Sequence, residues 1–375
     1  MTAIHEEQPT FLILAHDSSS NALGRAQAMA LVAQELGPTE IWANDGGPLW
    51  QGSSQFDTKI RVLAGGVKAI QTALRQAVNL DRPLVVWVSK GFAPLPKLVR
   101  LVREACPDAI VLLDLDDDDA GLADDFRRSS LGNALKLNFL RRGHPWQIRK
   151  SQRELAGLSD GFTFATEILR TRYEGFDGPY ERVPHVRSLT PRRMDGHIGK
   201  PIRVGAFGTI RPHKGSALLR SLVATSPELQ LSTFRSSGMG TPLPSEKNWV
   251  EIDPGMPLEI AYANVDVAVI PITSLTSAST VQLPAKLVDA MRAGVPIVAS
   301  QTQAIDEIAA GCYEPIAEGA TANDVRIAIS KALASGGGEA ARMRYESLLT
   351  PDKAAIRLRS LLDRIGSRNA TYNGR

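Results

Sequence analysis

Pro284-Ala285-Lys286-Leu287-Val288-Asp289-Ala290-Met291-Arg292-Ala293-Gly294-Val295-Pro296-Ile297-Val298-Ala299-Ser300 carries a polar-headed helical pattern through a Gly-x-Pro turn into a short apolar strand. Helix, turn and buried strand in succession are the unit from which open parallel sheets are wound. Such sheets take ligands at the carboxyl ends of strands and the amino ends of helices, where unpaired N–H groups and the helix dipole favour an anion. Lys286 and Asp289, three apart at the helix start, share one face. A solvated ion pair is the simpler account of those two charges taken alone. A second segment tips the balance.

In Ile202-Arg203-Val204-Gly205-Ala206-Phe207-Gly208-Thr209-Ile210-Arg211-Pro212-His213-Lys214-Gly215 a short apolar strand ends in glycine, and cations precede a helical pattern over 216–223. Glycine lets a backbone approach a ligand closely, Arg offers a planar fork to phosphate oxygens and Lys a point charge, a set that suits a diphosphate. Together with Leu283-Pro284-Ala285-Lys286-Leu287-Val288-Asp289-Ala290-Met291, this stretch resembles the donor half of two-domain nucleotide-sugar glycosyltransferases of the GT-B type, close to glycosyltransferase family 4. The resemblance implies an α/β fold of two doubly wound Rossmann-like domains facing a central cleft. It also implies transfer of a sugar from a nucleotide diphosphate sugar to an acceptor the sequence does not identify, with retention of configuration and without a metal. By resemblance, Arg211 and Lys214 are the catalytic cations that neutralise the leaving diphosphate, Gly208, Thr209 and Lys286 bind the donor, and Asp289 accepts the ribose hydroxyls. The family's donor motif has a glutamate, seven residues and a second glutamate. Here the second is Asp289, one methylene shorter, and the first falls on Val281, which cannot bond a sugar hydroxyl. Ser279 and Thr280 are the candidate substitutes, and Pro284 with Lys286 matches a Pro-x-Lys variant of the loop.

The amino-terminal half repeats the strand, loop and helix-start pattern: an apolar strand at 11–15, then His16-Asp17-Ser18-Ser19-Ser20-Asn21-Ala22-Leu23-Gly24-Arg25-Ala26 leading into an amphipathic helix up to residue 36. The resemblance places Gly24 against the donor phosphates and His16, Asp17 and Arg25 on the acceptor side of the cleft. Asp114-Leu115-Asp116-Asp117-Asp118-Asp119 is the densest charge cluster. It has carboxylates for a divalent cation, but its spacing is not diagnostic and a polar loop capping a helix explains it too. Asp116 and Asp117 are therefore read as acceptor-side or structural, and no metal site is assigned. His213, between Arg211 and Lys214, is expected to resist protonation. Residues 126–153 interleave Arg127, Arg128, Lys136, Arg141, Arg142, Arg149, Lys150 and Arg153 with Phe126, Leu137, Phe139, Leu140 and Trp146. Peripheral membrane contact is one reading of this stretch; a helix with solvated basic residues is the other and is favoured.

Strand-like runs at 11–15, 40–43, 60–63, 84–88, 110–113, 162–164 and 182–183 alternate with helical patterns such as 67–76 and 96–105. A second series, at 202–207, 229–234, 249–252, 265–270 and 297–300, follows a Pro- and Gly-containing stretch without apolar periodicity. The expected domains are an acceptor-side domain over 1–188, a linker over 189–200, a nucleotide-sugar domain over 201–350, and a returning helix and tail over 351–375, with Pro351 opening the helix and fraying after 367. With 375 residues, 43% of them hydrophobic, two ordinary cores are affordable. A net charge of +3 gives no case for a nucleic-acid partner. Two separate cysteines and the absence of a signal-like apolar start point to a cytoplasmic setting, and no cofactor is indicated. A nucleotide-sugar epimerase and a catalytically silent sugar-nucleotide or glycan binder remain the rival functions.

Overall fold

The computed structural model describes residues 8–63, 72, 82–130, 132–135, 143–190 and 201–373. The helix expected at 67–76, most of the linker, and Lys136, Leu137, Phe139, Leu140, Arg141 and Arg142 of the basic stretch lie outside the described residues. The chain divides into two units, residues 1–186 with 351–375, and residues 187–350.

In the first unit the described elements run β1 (Thr10–Ala15), α1 (Ala22–Gln34), β2 (Thr39–Asn44), β3 (Ile60–Leu63), β4 (Leu84–Ser89), α2 (Leu95–Ala105), β5 (Ile110–Leu115), α3 (Asp119–Arg128), α4 (Pro145–Ala156), β6 (Gly161–Phe164), α5 (Glu167–Arg170) and β7 (Tyr180–Arg182). The strands form one parallel sheet in the order β3-β2-β1-β4-β5-β6-β7. Strand order reverses between β1 and β4, where Ile13 stands beside Trp87 and both are fully buried. Continuous apolar strands follow from burial on both faces.

The second unit has its own sheet, built by β8 (Ile202–Gly205), α6 (Ser216–Thr225), β9 (Leu229–Phe234), β10 (Trp249–Ile252), α7 (Leu258–Ala263), β11 (Val267–Ile270), α8 (Ala285–Ala293), β12 (Ile297–Ser300), α9 (Gln303–Ala309), β13 (Glu314–Ile316), α10 (Ala322–Ala334) and α11 (Gly337–Leu348). Its order is β10-β9-β8-β11-β12-β13, again parallel, with the reversal between β8 and β11. One core, with Phe207, Tyr262, Leu287, Met291 and Tyr345, involves α7, α8 and α11; the other, with Val204, Leu219, Trp249 and Val325, involves α6 and α10.

The last helix, α12 (Pro351–Asn373), belongs to the first unit, where it packs on α1 and β7. Its Ala354, Ala355, Leu358, Leu361 and Ile365 join the core formed by Ala26, Met29 and Ala33. This changes the reading of α1. The helix is not amphipathic: residues 25–33 are buried all round, as a helix covered on more than one side must be. Pro351 does open α12, but the helix continues past 367 to Asn373 instead of fraying. Among the described residues no helix is long and apolar enough to cross a membrane.

Candidate functional site

At the carboxyl end of β8 the chain passes through exposed Gly208 and Thr209 to a single 3-10 turn, Pro212–Lys214, and enters α6 at Gly215. Gly215 has a left-handed φ of 78°, and a Cβ there would lie 2.6 Å from Cγ of Pro271, the residue after β11. Only glycine meets both conditions without strain. The close approach joins the two loops at the reversal point. Thr273 donates its N–H to the His213 carbonyl (3.0 Å) and its hydroxyl to the Pro212 carbonyl (3.1 Å). This is the crevice position at which open α/β sheets take ligands.

Helix α8 starts beside these loops. Pro284 occupies its N-cap and, among the described residues, no side chain caps its first turn, so its dipole end can take an anion. Lys286 is partly buried in that turn, and among the described residues its ammonium has no carboxylate partner. Burial, and then the charge of Lys214, push it down to about 7. The His213 imidazole is likewise lowered, by burial and then by Lys214, Arg211 and Lys286. His213 thus lies within electrostatic reach of Arg211, Lys214 and Lys286, and Lys286 within reach of Lys214.

Asp289, one turn further along α8, is 4% exposed, and its Oδ1 accepts from Nε of Arg187 at 2.8 Å. Val281 is 1% exposed and part of the core. Ser279 Oγ accepts from the Thr276 N–H (2.7 Å) and Thr280 donates to the Ser277 carbonyl (3.0 Å), bonds that shape the turn before α8.

In the first unit the residues singled out gather around a lysine that sequence reasoning missed. Lys90, just beyond β4, is 7% exposed and has a φ of 61°, rare for a residue with a side chain. Its Nζ lies 2.7 Å from Asp116, 3.2 Å from Asp117 and 3.2 Å from Asp119. The aspartate run therefore turns inward onto an ammonium, and among the described residues no group of His, Cys, Asp and Glu is arranged to hold a metal ion. Burial pushes the Asp119 carboxyl up to about 8 against the opposing pull of Lys90. His16 stacks on Phe92 with ring centroids 4.4 Å apart. Burial, then Lys90, holds its imidazole down at about 4. Asp17 accepts from the Ser19 N–H and hydroxyl, both at 2.8 Å, which shapes the loop.

One first-unit expectation changes. Arg25 is buried rather than facing an acceptor: it is 2% exposed, bonded through Nε and Nη2 to Asp114 (2.8 and 2.6 Å) and through Nη2 to the Val183 carbonyl (2.7 Å). At Gly24 a Cβ would sit 3.1 Å from the Trp50 indole. In the described part of the basic stretch, Arg127 and Arg149 both bond Asp124 (3.3 and 2.5 Å), while Trp146 is 52% exposed.

No protein-family model matches the chain, and no curated protein matches it by sequence. Solved structures do. HepE from Anabaena, in complex with UDP-glucose, gives a TM-score of 0.64 at 12% identity, over 96% of this chain and 99% of that one. A TarM mutant from S. aureus, in complex with Fondaparinux, alpha-GlcNAc-glycerol and UDP, gives 0.66 at 10%, over 94% and 99%. Sucrose-phosphate synthase from Thermosynechococcus elongatus gives 0.62 at 12%, over 96% and 100%. These likenesses show the fold, two Rossmann-like domains of the GT-B type, without singling out family 4.

Proposed function

We propose that this protein is a glycosyltransferase that moves a hexose from a nucleotide diphosphate sugar to an acceptor, with retention of configuration and without a metal. The observation that carries the reading is Lys286, an ammonium depressed to about 7 beside Lys214, His213 and Arg211 at an uncapped helix start. Cations gathered at a helix start favour a bound anion, because it relieves their mutual repulsion. A diphosphate supplies that anion. Arg211 and Lys214 then stabilise the charge that grows on the diphosphate as the glycosidic bond breaks, an interaction stronger in the transition state than in the ground state. Gly208 and Thr209 line the approach, and Asp289 takes the ribose hydroxyls. The GT-B fold shared with HepE and TarM supports the same assignment.

The test is incubation with a panel of UDP-, GDP- and ADP-linked hexoses, scoring binding, diphosphate release and epimerisation. Release of diphosphate is expected, and it should fall sharply in Arg211→Ala and Lys214→Ala. An epimerised donor without release favours the epimerase. Binding alone favours a silent binder, a reading to which buried Val281 lends specific support. For peripheral membrane contact the supporting observation is exposed Trp146, Phe126 and Leu135 among basic side chains. Sedimentation with anionic vesicles, lost in Trp146→Ala, is the corresponding check.

A further inference from the structure

Asp289 departs from the family pattern by one methylene, and the structure shows a partner for the shortened carboxylate. Arg187, the first residue of the second unit, directs its Nε to Oδ1 of Asp289 at 2.8 Å, with the two side chains only 12% and 6% exposed. Arg187 is itself held in place. Its carbonyl accepts from the Tyr345 hydroxyl of α11, and three residues on the Thr190 carbonyl accepts from Nη2 of Arg342 at 2.8 Å. Arg342 also donates to the Arg292 carbonyl of α8, while Tyr262 of α7 donates to the Lys286 carbonyl at 3.1 Å. The segment bearing Arg187 and the helix bearing Asp289 are thus fastened to the same scaffold. Among the described residues Oδ2 of Asp289 takes no hydrogen bond.

Resting on the reading of Asp289 as a donor ligand, we propose that Arg187 is a positioning residue, fixing Oδ1 so that Oδ2 is presented to the donor's ribose hydroxyls. A buried carboxylate needs a cation and directed donors to remain where it is. A short Asp side chain has fewer rotamers through which to reach a ligand than Glu, so its aim depends on whatever holds its other oxygen. Arg187 does not touch the donor in this arrangement; it acts through Asp289.

The experiment measures calorimetric affinity for the best binder among UDP-, GDP- and ADP-glucose and for its 2′,3′-dideoxyribose counterpart. The proteins are wild type, Arg187→Gln, Arg187→Lys, Asp289→Asn and the Gln/Asn double variant. Arg187→Gln should weaken the parent donor about tenfold, the scale of one hydrogen bond to a charged group, while leaving the dideoxy counterpart unaffected. Arg187→Lys should recover part of the loss, and the double variant should be no weaker than Asp289→Asn alone. A merely structural Arg187 would lower the melting temperature and weaken both ligands equally. If Asp289→Asn weakens the parent donor and Arg187→Gln does not, or if the two losses add, the positioning role is overturned. If Asp289→Asn itself changes nothing, the donor-ligand reading of Asp289 fails, and the proposal with it.

Discussion

Titrating Lys286 should change donor affinity in a way that few other groups could imitate. Burial and Lys214 hold this ammonium at about 7, against 10.5 for an ordinary lysine. A bound diphosphate supplies the missing negative charge and raises it again, so binding takes up a proton above neutrality. The direction follows: affinity is greatest below about 7, where Lys286 is already charged, and declines as pH rises. With full recovery in the complex, the donor should bind about 25-fold more weakly at pH 8.5 than at pH 6.5, which is about 2 kcal/mol. A nucleotide sugar is the right probe because its diphosphate diester does not titrate there, and Lys286→Met separates the lysine from His213, which burial and then Lys214, Arg211 and Lys286 lower. Calorimetry in two buffers of different ionisation enthalpy gives both the affinity and the proton uptake. Lys286→Met should bind more weakly at pH 6.5 and show almost no slope. A flat profile in the wild type, or an equal slope in Lys286→Met, would refute the placement of a diphosphate against this ammonium.

The buried Arg25–Asp114 pair should behave as structure, so Arg25→Met should cost about 3–5 kcal/mol in urea unfolding, because it strands a fully buried carboxylate. Gly215→Ala should lower the melting temperature more than Gly208→Ala. Both have left-handed φ, 78° and 83°, but only at Gly215 does the new methyl meet Pro271, and equal losses would contradict that packing. Since Asp116, Asp117 and Asp119 are turned onto Lys90, excess chelator should leave turnover unchanged, while Lys90→Met should destabilise the first unit. Activity abolished by chelator and restored by magnesium or manganese would make the aspartates a metal site after all.

The alternation of apolar strands with helical patterns made the doubly wound sheets legible, because parallel strands buried on both faces write themselves as continuous Val, Ile and Leu runs. Strand β13, Glu314–Ile316, was missed: it is three residues long, contains Pro315 and lies at a sheet edge, where a proline is tolerated but no periodicity survives. Lys90 was illegible for a different reason. A single lysine after a strand carries no local signal, and its partners stand 26 to 29 residues away in sequence, brought near only by the pairing of β4 with β5. Arg25 misled in the opposite sense, since a charged residue at a helix start reads as exposed until a buried carboxylate is placed opposite it. The strand end, glycine turn and helix starts that carry Gly208, Arg211, Lys214 and Lys286 were legible, because each is a local feature. The Arg187–Asp289 pair, separated by 102 positions, was not.

The central claim, that the cations after β8 and in the first turn of α8 hold a donor diphosphate, is tested most directly by diphosphate release from the nucleotide-hexose panel, wild type against Lys214→Ala/Lys286→Met. The account predicts release with at least one donor by the wild type, and loss of both release and donor binding in the double variant while its melting temperature is retained. A folded double variant that still binds and turns over the donor as well as the wild type would contradict it.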